Sequence, residues 1–192
     1  MTAWDGTGSL ADWAHALTRA KLETAVPRRW SHVAGVVELA REIGPVAGAD
    51  ADLLVAAAAA HDIGHAPDLV RTGFVALDGV EFLRTVNAPQ PLLNLVAHYW
   101  ASGIEAELRG YTEQYRDLPD EPTPVRDALW YCDLRVGPDG ERMGVDERFA
   151  DLWRRYERDD VAIRWWRLAE EPLRAAVART RERLDACALT PV

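Results

Sequence analysis

ADLLVAAAAAHDIGHAPD, residues 51–68, carries the reading of the fold. Five consecutive alanines after Leu54 and Val55 favour helix strongly, and their small side chains allow neighbouring helices to approach closely. Asp50 stands where an N-cap is expected. Glycine and proline in HDIGHAPD then break the helix, so His61 and Asp62 fall at a helix end that opens into a loop. In helical register His61 extends the row Leu54, Ala57 and Ala58, and its imidazole should point inward.

Outward from this stretch the apolar period stays helical. Upstream, Ser9 is placed to cap a helix over about 10–23, and Pro27 suits the first turn of a helix that ends at Gly44 and Pro45. On that helix His32 shares a face with Val36, Leu39 and Ile43. Downstream, a short helix is predicted from about Asp78, and another crosses Pro91 to Tyr99 and continues through SGIEAELRG. The polar, proline-bearing stretch 111–124 reads as loop. PVRDALWYCDLR resumes the helix and sets Asp133 beside Cys132, on the apolar side. VGPDGERMGV has the turn residues of one short β-hairpin over 136–145. Two helices within 146–187 complete the chain, the second bent at Pro172. One all-α domain over residues 1–192 is the economical reading, with its motifs inside 27–135.

Composition sets outer bounds. The 192 residues are 48% hydrophobic and 28% charged, as in a globular protein and unlike a disordered one. A net charge of −9 argues against a nucleic-acid polymer or an anionic membrane as partner. Two cysteines, Cys132 and Cys187, make no disulfide framework, and neither a membrane span nor a signal peptide is evident, so the expected address is the cytoplasm.

A carboxylate on the apolar face of its helix costs several kcal/mol, on the order of 3–5, without a cationic partner. His32, His61, Asp62 and Asp133, from three helices, supply the mixed nitrogen and oxygen donors of a divalent metal site. That donor set suits Mn, Fe, Zn, Ni or Co, with Mg a poorer match. A metal there would acidify a bound water and polarise a phosphoryl oxygen, which favours hydrolysis of a phosphoester or phosphoanhydride.

His32 on one helix, His61-Asp62 at the end of a later one and Asp133 on another resemble the H…HD…D signature of the HD-domain superfamily of metal-dependent phosphohydrolases. The strings PRRWSHVAGV and AAHDIGHAP strengthen the resemblance, which runs from about Pro27 to Asp133. It implies an all-α bundle, a metal held by His32, His61, Asp62 and Asp133, and a small nucleotide or other phosphorylated metabolite as substrate. The alternative is a regulatory HD module that binds nucleotide or metal without turnover.

By the same resemblance His65 contacts phosphate, protonates the leaving group or, with His98, holds a second metal. Arg29, one turn before His32, matches the basic residue of an R-x-x-H arrangement and is placed to hold phosphate oxygens. His65 capping the helix and His98 packing beside Tyr99 and Trp100 are the competing structural roles. Trp30, Trp100 and Trp130 lie within three positions of these residues, which sets a stacking wall against plain core packing. The loops 66–77 and 101–124 are expected to line the pocket. The amphipathic final helix leaves a homodimer open.

Overall fold

The structure is a computed structural model that describes residues 2–156 and 160–188. Helix α1 (Leu10–Leu22) starts at Ser9, whose hydroxyl accepts from the backbone N–H of Asp12 at 3.1 Å. Helix α2 (Pro27–Glu42) begins on its proline and buries His32, Val33, Val36, Val37 and Ala40. Its end runs through a 3₁₀ turn, Gly44–Asp50, into helix α3 (Ala51–Ala60). Asp50 therefore makes no side-chain cap: the chain enters α3 already turning, with the N–H of Ala51 bonded to the carbonyl of Gly48. Asp52 takes a capping role elsewhere, accepting from the hydroxyl of Ser9 at 2.7 Å and the N–H of Leu10 at 2.9 Å, which ties the start of α1 to that of α3.

Every residue of α3 from Leu54 to Ala60 is buried. A helix apolar all round belongs at the centre, and α3 is packed by α1, α2, helix α5 (Gln90–His98) and helix α7 (Pro124–Leu134). The alanines make this possible by letting those backbones close in. After α3, the 3₁₀ turn Ile63–His65 lies against helix α4 (Val75–Thr85). A Cβ on Gly64 would stand 2.1 Å from the carbonyl oxygen of Val75 and 2.8 Å from the nitrogen of Gly79. Gly64→Ala is thus expected to force two backbones apart and destabilise the protein by about 1–3 kcal/mol. A thermal midpoint equal to that of the wild type would show that the close approach is not required.

Helix α4 starts three residues earlier than Asp78. The Asp78 carboxylate instead reaches back to accept from the N–H and hydroxyl of Thr72, both at 2.9 Å, and from the N–H of Gly73 at 3.1 Å. The segment after α5 also departs from expectation. The helix does not continue into helix α6 (Ser102–Arg109), because Trp100 (φ 54°) and Ala101 (φ 54°) are both left-handed. Two such residues without glycine cost roughly 1–2 kcal/mol each. The turn is held by the Trp130 indole N–H, which donates to the carbonyl of His98 at 2.8 Å, and by the near-parallel stack of Trp100 on Trp165.

Helix α7 is capped by Thr123, whose hydroxyl accepts from the N–H of Arg126, and is buried from Val125 to Leu134. The predicted hairpin is reduced to one antiparallel bridge, Val136 with Arg142, and no strand occurs among the described residues. The turn between them is drawn over α2 instead: a Cβ on Gly35 would lie 2.6 Å from the carbonyl oxygen of Gly140. Helix α8 (Val145–Tyr156) and helix α9 (Asp160–Ala188) follow, and α9 runs through Pro172 as one helix. α9 packs along α6 and α7. Among the described residues, no single helix is long and apolar enough to cross a membrane.

Candidate metal centre

Helix α2 brings in Arg29 and His32, the end of α3 brings His61 and Asp62, and the last turn of α7 brings Asp133. His32, His61, Asp62 and Asp133 are all at least 97% buried. Ligand atoms of His32, His61 and Asp133 lie within 4.8 Å of one another. Asp62 joins them, with Oδ2 3.3 Å from Nε2 of His61 and 3.8 Å from Nε2 of His32.

Hydrogen bonding determines which nitrogen of each ring faces the group. Nδ1 of His32 donates to the carbonyl of Gly137 at 3.0 Å, and Nδ1 of His61 donates to the carbonyl of Ala58 at 2.8 Å. A carbonyl can only accept, so both Nδ1 atoms carry the proton and both neutral rings turn an Nε2 lone pair inward. The His32 lone pair faces Oδ1 of Asp133 at 3.0 Å. Nε2 of His61 is buried and has no hydrogen-bond partner. Two lone pairs and two carboxylates converging in a dry interior repel one another unless something positive stands among them. A proton is one answer: burial by itself pushes His61 down, but Asp62 and Asp133 outweigh it and raise it to about 9. A divalent cation is the other, and carbonyl-oriented imidazoles with inward Nε2 atoms are how proteins present histidine to a metal. The donor set therefore fits a metal ion.

A family model described as HD domain matches residues 29–132, more than half of the chain. The chain belongs to the HD-domain family. That places it in a superfamily of metal-dependent phosphohydrolases, in agreement with the all-helical fold and the buried His/Asp group. No curated protein and no solved structure gives a significant match to the chain. Asp133 lies one residue past the matched segment, and it is the structure that joins it to the HD-domain histidines.

Asp62 is the most heavily held member of the group. Arg29 donates from Nη1 to its Oδ2 at 2.8 Å, and the Tyr99 hydroxyl donates to Oδ1 at 3.3 Å. Burial alone would push the Asp62 carboxyl up, but Arg29, His61 and His65 hold it well below the usual carboxylate range. Asp133 is likewise lowered against its burial, by His61 and His32. Tyr99 packs its ring edge-on against His61, with centroids 5.2 Å apart, and burial together with Asp62 raises its hydroxyl well above the ordinary value. No sequence pattern marks Tyr99; the left-handed turn that follows it sets its direction.

The group opens into a cleft of ≈ 260 Å³ lined at this end by Arg29, Asp62, His65 and Asp133. Nε2 of His65 is 3.6 Å from Oδ1 of Asp62, and the side chain is one-third exposed at the cleft wall. Burial holds His65 below its ordinary pKa, against the pull of Asp62. The structure does not bring His98 to the group. Its Nε2 donates to the carbonyl of Leu118 at 2.6 Å, its ring meets Tyr115 edge-on, and Gly103 leaves the room its Nδ1 occupies. Helix α5 ends at His98, and the left-handed turn that follows points Tyr99, not His98, toward Asp62. Of the three tryptophans near the motifs, Trp130 is core, Trp30 packs on His15, and Trp100 lines the cleft. Gly73 and Phe74 of the expected loop 66–77 contribute to the wall, whereas the expected loop 101–124 does so only through Ser102, Glu105 and Arg109, which fold as helix α6, and none of residues 110–124 is in the lining.

Proposed function

We propose that the chain is a metal-dependent phosphohydrolase acting on a small phosphorylated metabolite. The observation that carries the proposal is the convergence of two inward Nε2 lone pairs with two carboxylates at the floor of a cleft whose wall carries Arg29 and His65. His32, His61, Asp62 and Asp133 would hold one divalent cation. Such an ion supplies Lewis acidity toward a phosphoryl oxygen and lowers the pKa of a bound water.

The protein's own groups do the rest. The Gly137 and Ala58 carbonyls keep both imidazoles in the productive tautomer. Arg29 fixes Oδ2 of Asp62, which leaves Oδ1, beside Tyr99 and His65, as the oxygen placed to accept a hydrogen bond from the attacking water and orient it. Arg29 has further N–H donors besides the one given to Asp62, and these, with His65, would steady the phosphate and offset charge developing on it. With His98 committed to Leu118, the site is proposed to take one metal per chain.

The test is metal analysis of the purified protein, followed by phosphate release from a panel of phosphate esters and nucleotides with added Mn²⁺, Co²⁺ or Mg²⁺. One equivalent of metal and metal-dependent release support the proposal. Saturable ligand binding with no product would replace it with a binding module. His65→Gln is expected to lower kcat/KM roughly 10–100-fold, the loss of a hydrogen bond to a charged group, while metal content stays at one per chain. Unchanged turnover would remove His65 from the proposed machinery.

A further inference from the structure

One short segment grips both nitrogens of His32. Asp133, in the last turn of α7, faces Nε2 with its Oδ1 at 3.0 Å, and just beyond the end of that helix the carbonyl of Gly137 accepts from Nδ1 at 3.0 Å. We infer that the turn 137–141, seated on Gly35 of α2, is a clasp that holds His32 open as a metal ligand, and that Gly35 is the positioning residue on which it depends. The inference rests on the proposed metal centre and adds what keeps one of its ligands in the right form.

A neutral imidazole has one proton, and here two acceptors compete for it. A carboxylate is the stronger acceptor, so a ring left to itself gives that proton to Asp133 from Nε2, and the lone pair needed by a metal is lost. The Gly137 carbonyl prevents this because it can only accept. With the proton on Nε2, the Nδ1 lone pair would face that oxygen in an interior where His32 is 1% exposed. The clasp therefore works only while the carbonyl stays in reach, and beyond about 3.5 Å the bond is gone.

The turn is tightly built. The N–H of Gly137 donates to the carbonyl of Glu141 at 2.8 Å, the N–H of Gly140 to the carbonyl of Gly137 at 3.1 Å, and the N–H of Asp139 to Oε2 of Glu141 at 2.9 Å. Two ion pairs tie this region to α2, Arg28 with Asp139 at 2.8 Å and Arg142 with Glu42 at 2.7 Å, but all four side chains are at least one-third exposed. Such pairs hold weakly. The close seat is made by glycine. Gly35 lies three residues after His32, on the same face of α2. A Cβ there would stand 2.6 Å from the carbonyl oxygen of Gly140 and 2.8 Å from Cγ1 of Val136, and one on Gly140 would stand 2.6 Å from the carbonyl oxygen of Ser31. A methyl group at position 35 must lift the turn off α2, and the bond between Gly140 and Gly137 carries the critical carbonyl with it.

The experiment is Gly35→Ala in the full chain. Calorimetric titration with Mn²⁺ is expected to give a dissociation constant about 10–100-fold weaker than that of wild type, the usual cost of freeing a ligating histidine from its outer partner. In the metal-free protein, NMR should show the Nδ1 proton of His32 exchanging with water about tenfold faster, the worth of the lost hydrogen bond. Leu173→Ala is the comparison for general loosening: Leu173 is fully buried on α9, which brings no residue to the metal group, and the cavity lowers the thermal midpoint. It should keep the wild-type Mn²⁺ affinity and exchange rate. Wild-type values in Gly35→Ala, or the same losses in Leu173→Ala, would each overturn the clasp. Should Gly35→Ala not fold, Asp139→Ala replaces it by cutting the exposed tie to Arg28; binding about two- to fivefold weaker is then expected, and unchanged binding overturns the inference. Failure of the metal centre reads differently: wild type takes up no Mn²⁺, while the exchange rates still report whether the turn holds the ring.

Discussion

Asp133→Asn is expected to take the metal content from one per chain to near zero and to cut phosphate release by well over about 100-fold, with the helical circular dichroism unchanged. The substitution keeps the size of the side chain and one oxygen but removes the charge that faces Nε2 of His32 at 3.0 Å and Nε2 of His61 at 3.8 Å. Loss of a hydrogen bond behind a metal ligand already costs roughly 10–100-fold in affinity or activity, so loss of the ligand charge must cost more. Elemental analysis and a phosphate assay on the same preparation check both halves. Full metal content with full activity in Asp133→Asn would leave the proposed centre without its α7 ligand, and the mechanism would fall.

Asp127→Ala should produce the largest loss of stability outside the cleft. Asp127 is fully buried on α7, where its carboxylate accepts from Nε and Nη2 of Arg179 at 2.8 and 2.7 Å and from Nη1 of Arg183 at 2.9 Å. These bonds fasten α9 to α7, and α9 is the helix that carries Trp165 to the cleft. Breaking a buried ion pair costs about 3–5 kcal/mol and an exposed one at most about 1. Arg179 and Arg183 retain access to water, with 42% and 30% of their side chains exposed, so the expected cost lies between, at about 2–4 kcal/mol. At this chain length that lowers the thermal midpoint by roughly 5–15 °C.

The same contact predicts an acid dependence. Burial alone would push the Asp127 carboxyl up, but the hydrogen bonds from Arg179 and Arg183 bring it below its ordinary value. A folded-state pKa below the unfolded one, about 3.9, gives stability that is complete above that value and lost as pH falls through the folded pKa. Urea midpoints of wild type and Asp127→Asn should therefore keep a constant gap above about pH 5 and converge as pH falls through the lowered folded-state pKa of Asp127. A gap that stays open in acid would mean that packing, and not the ion pair, holds α9 in place.

The helical period of AVILM residues, the alanine run of α3 and the glycine and proline breaks carried enough information to place most helices within a residue or two. They were also enough to turn His32, His61 and Asp133 inward, because a side chain's face on a helix follows from its position in the chain. Family membership, through the HD-domain match, was legible for the same local reason. Asp50 does stand at the N-cap position of α3 but makes no side-chain cap, and α4 starts three residues before Asp78, whose carboxylate reaches back to Thr72 and Gly73, because which N–H groups a carboxylate can reach is decided by the fold.

Contacts between remote segments had no local signature. The carbonyls of Ala58 and Gly137 that orient the two imidazoles are main-chain groups every residue possesses, so no letter in the sequence announces them. The left-handed pair Trp100 and Ala101, which aims Tyr99 at Asp62 and turns His98 away to Leu118, is upheld by packing against Trp130 and Trp165 against its own local preference. Local order along the chain is governed by short-range sterics and hydrophobic period, and is written in the residues themselves. The make-up of the cleft depends on which distant surfaces are complementary when the helices close on α3, and that is settled when they pack.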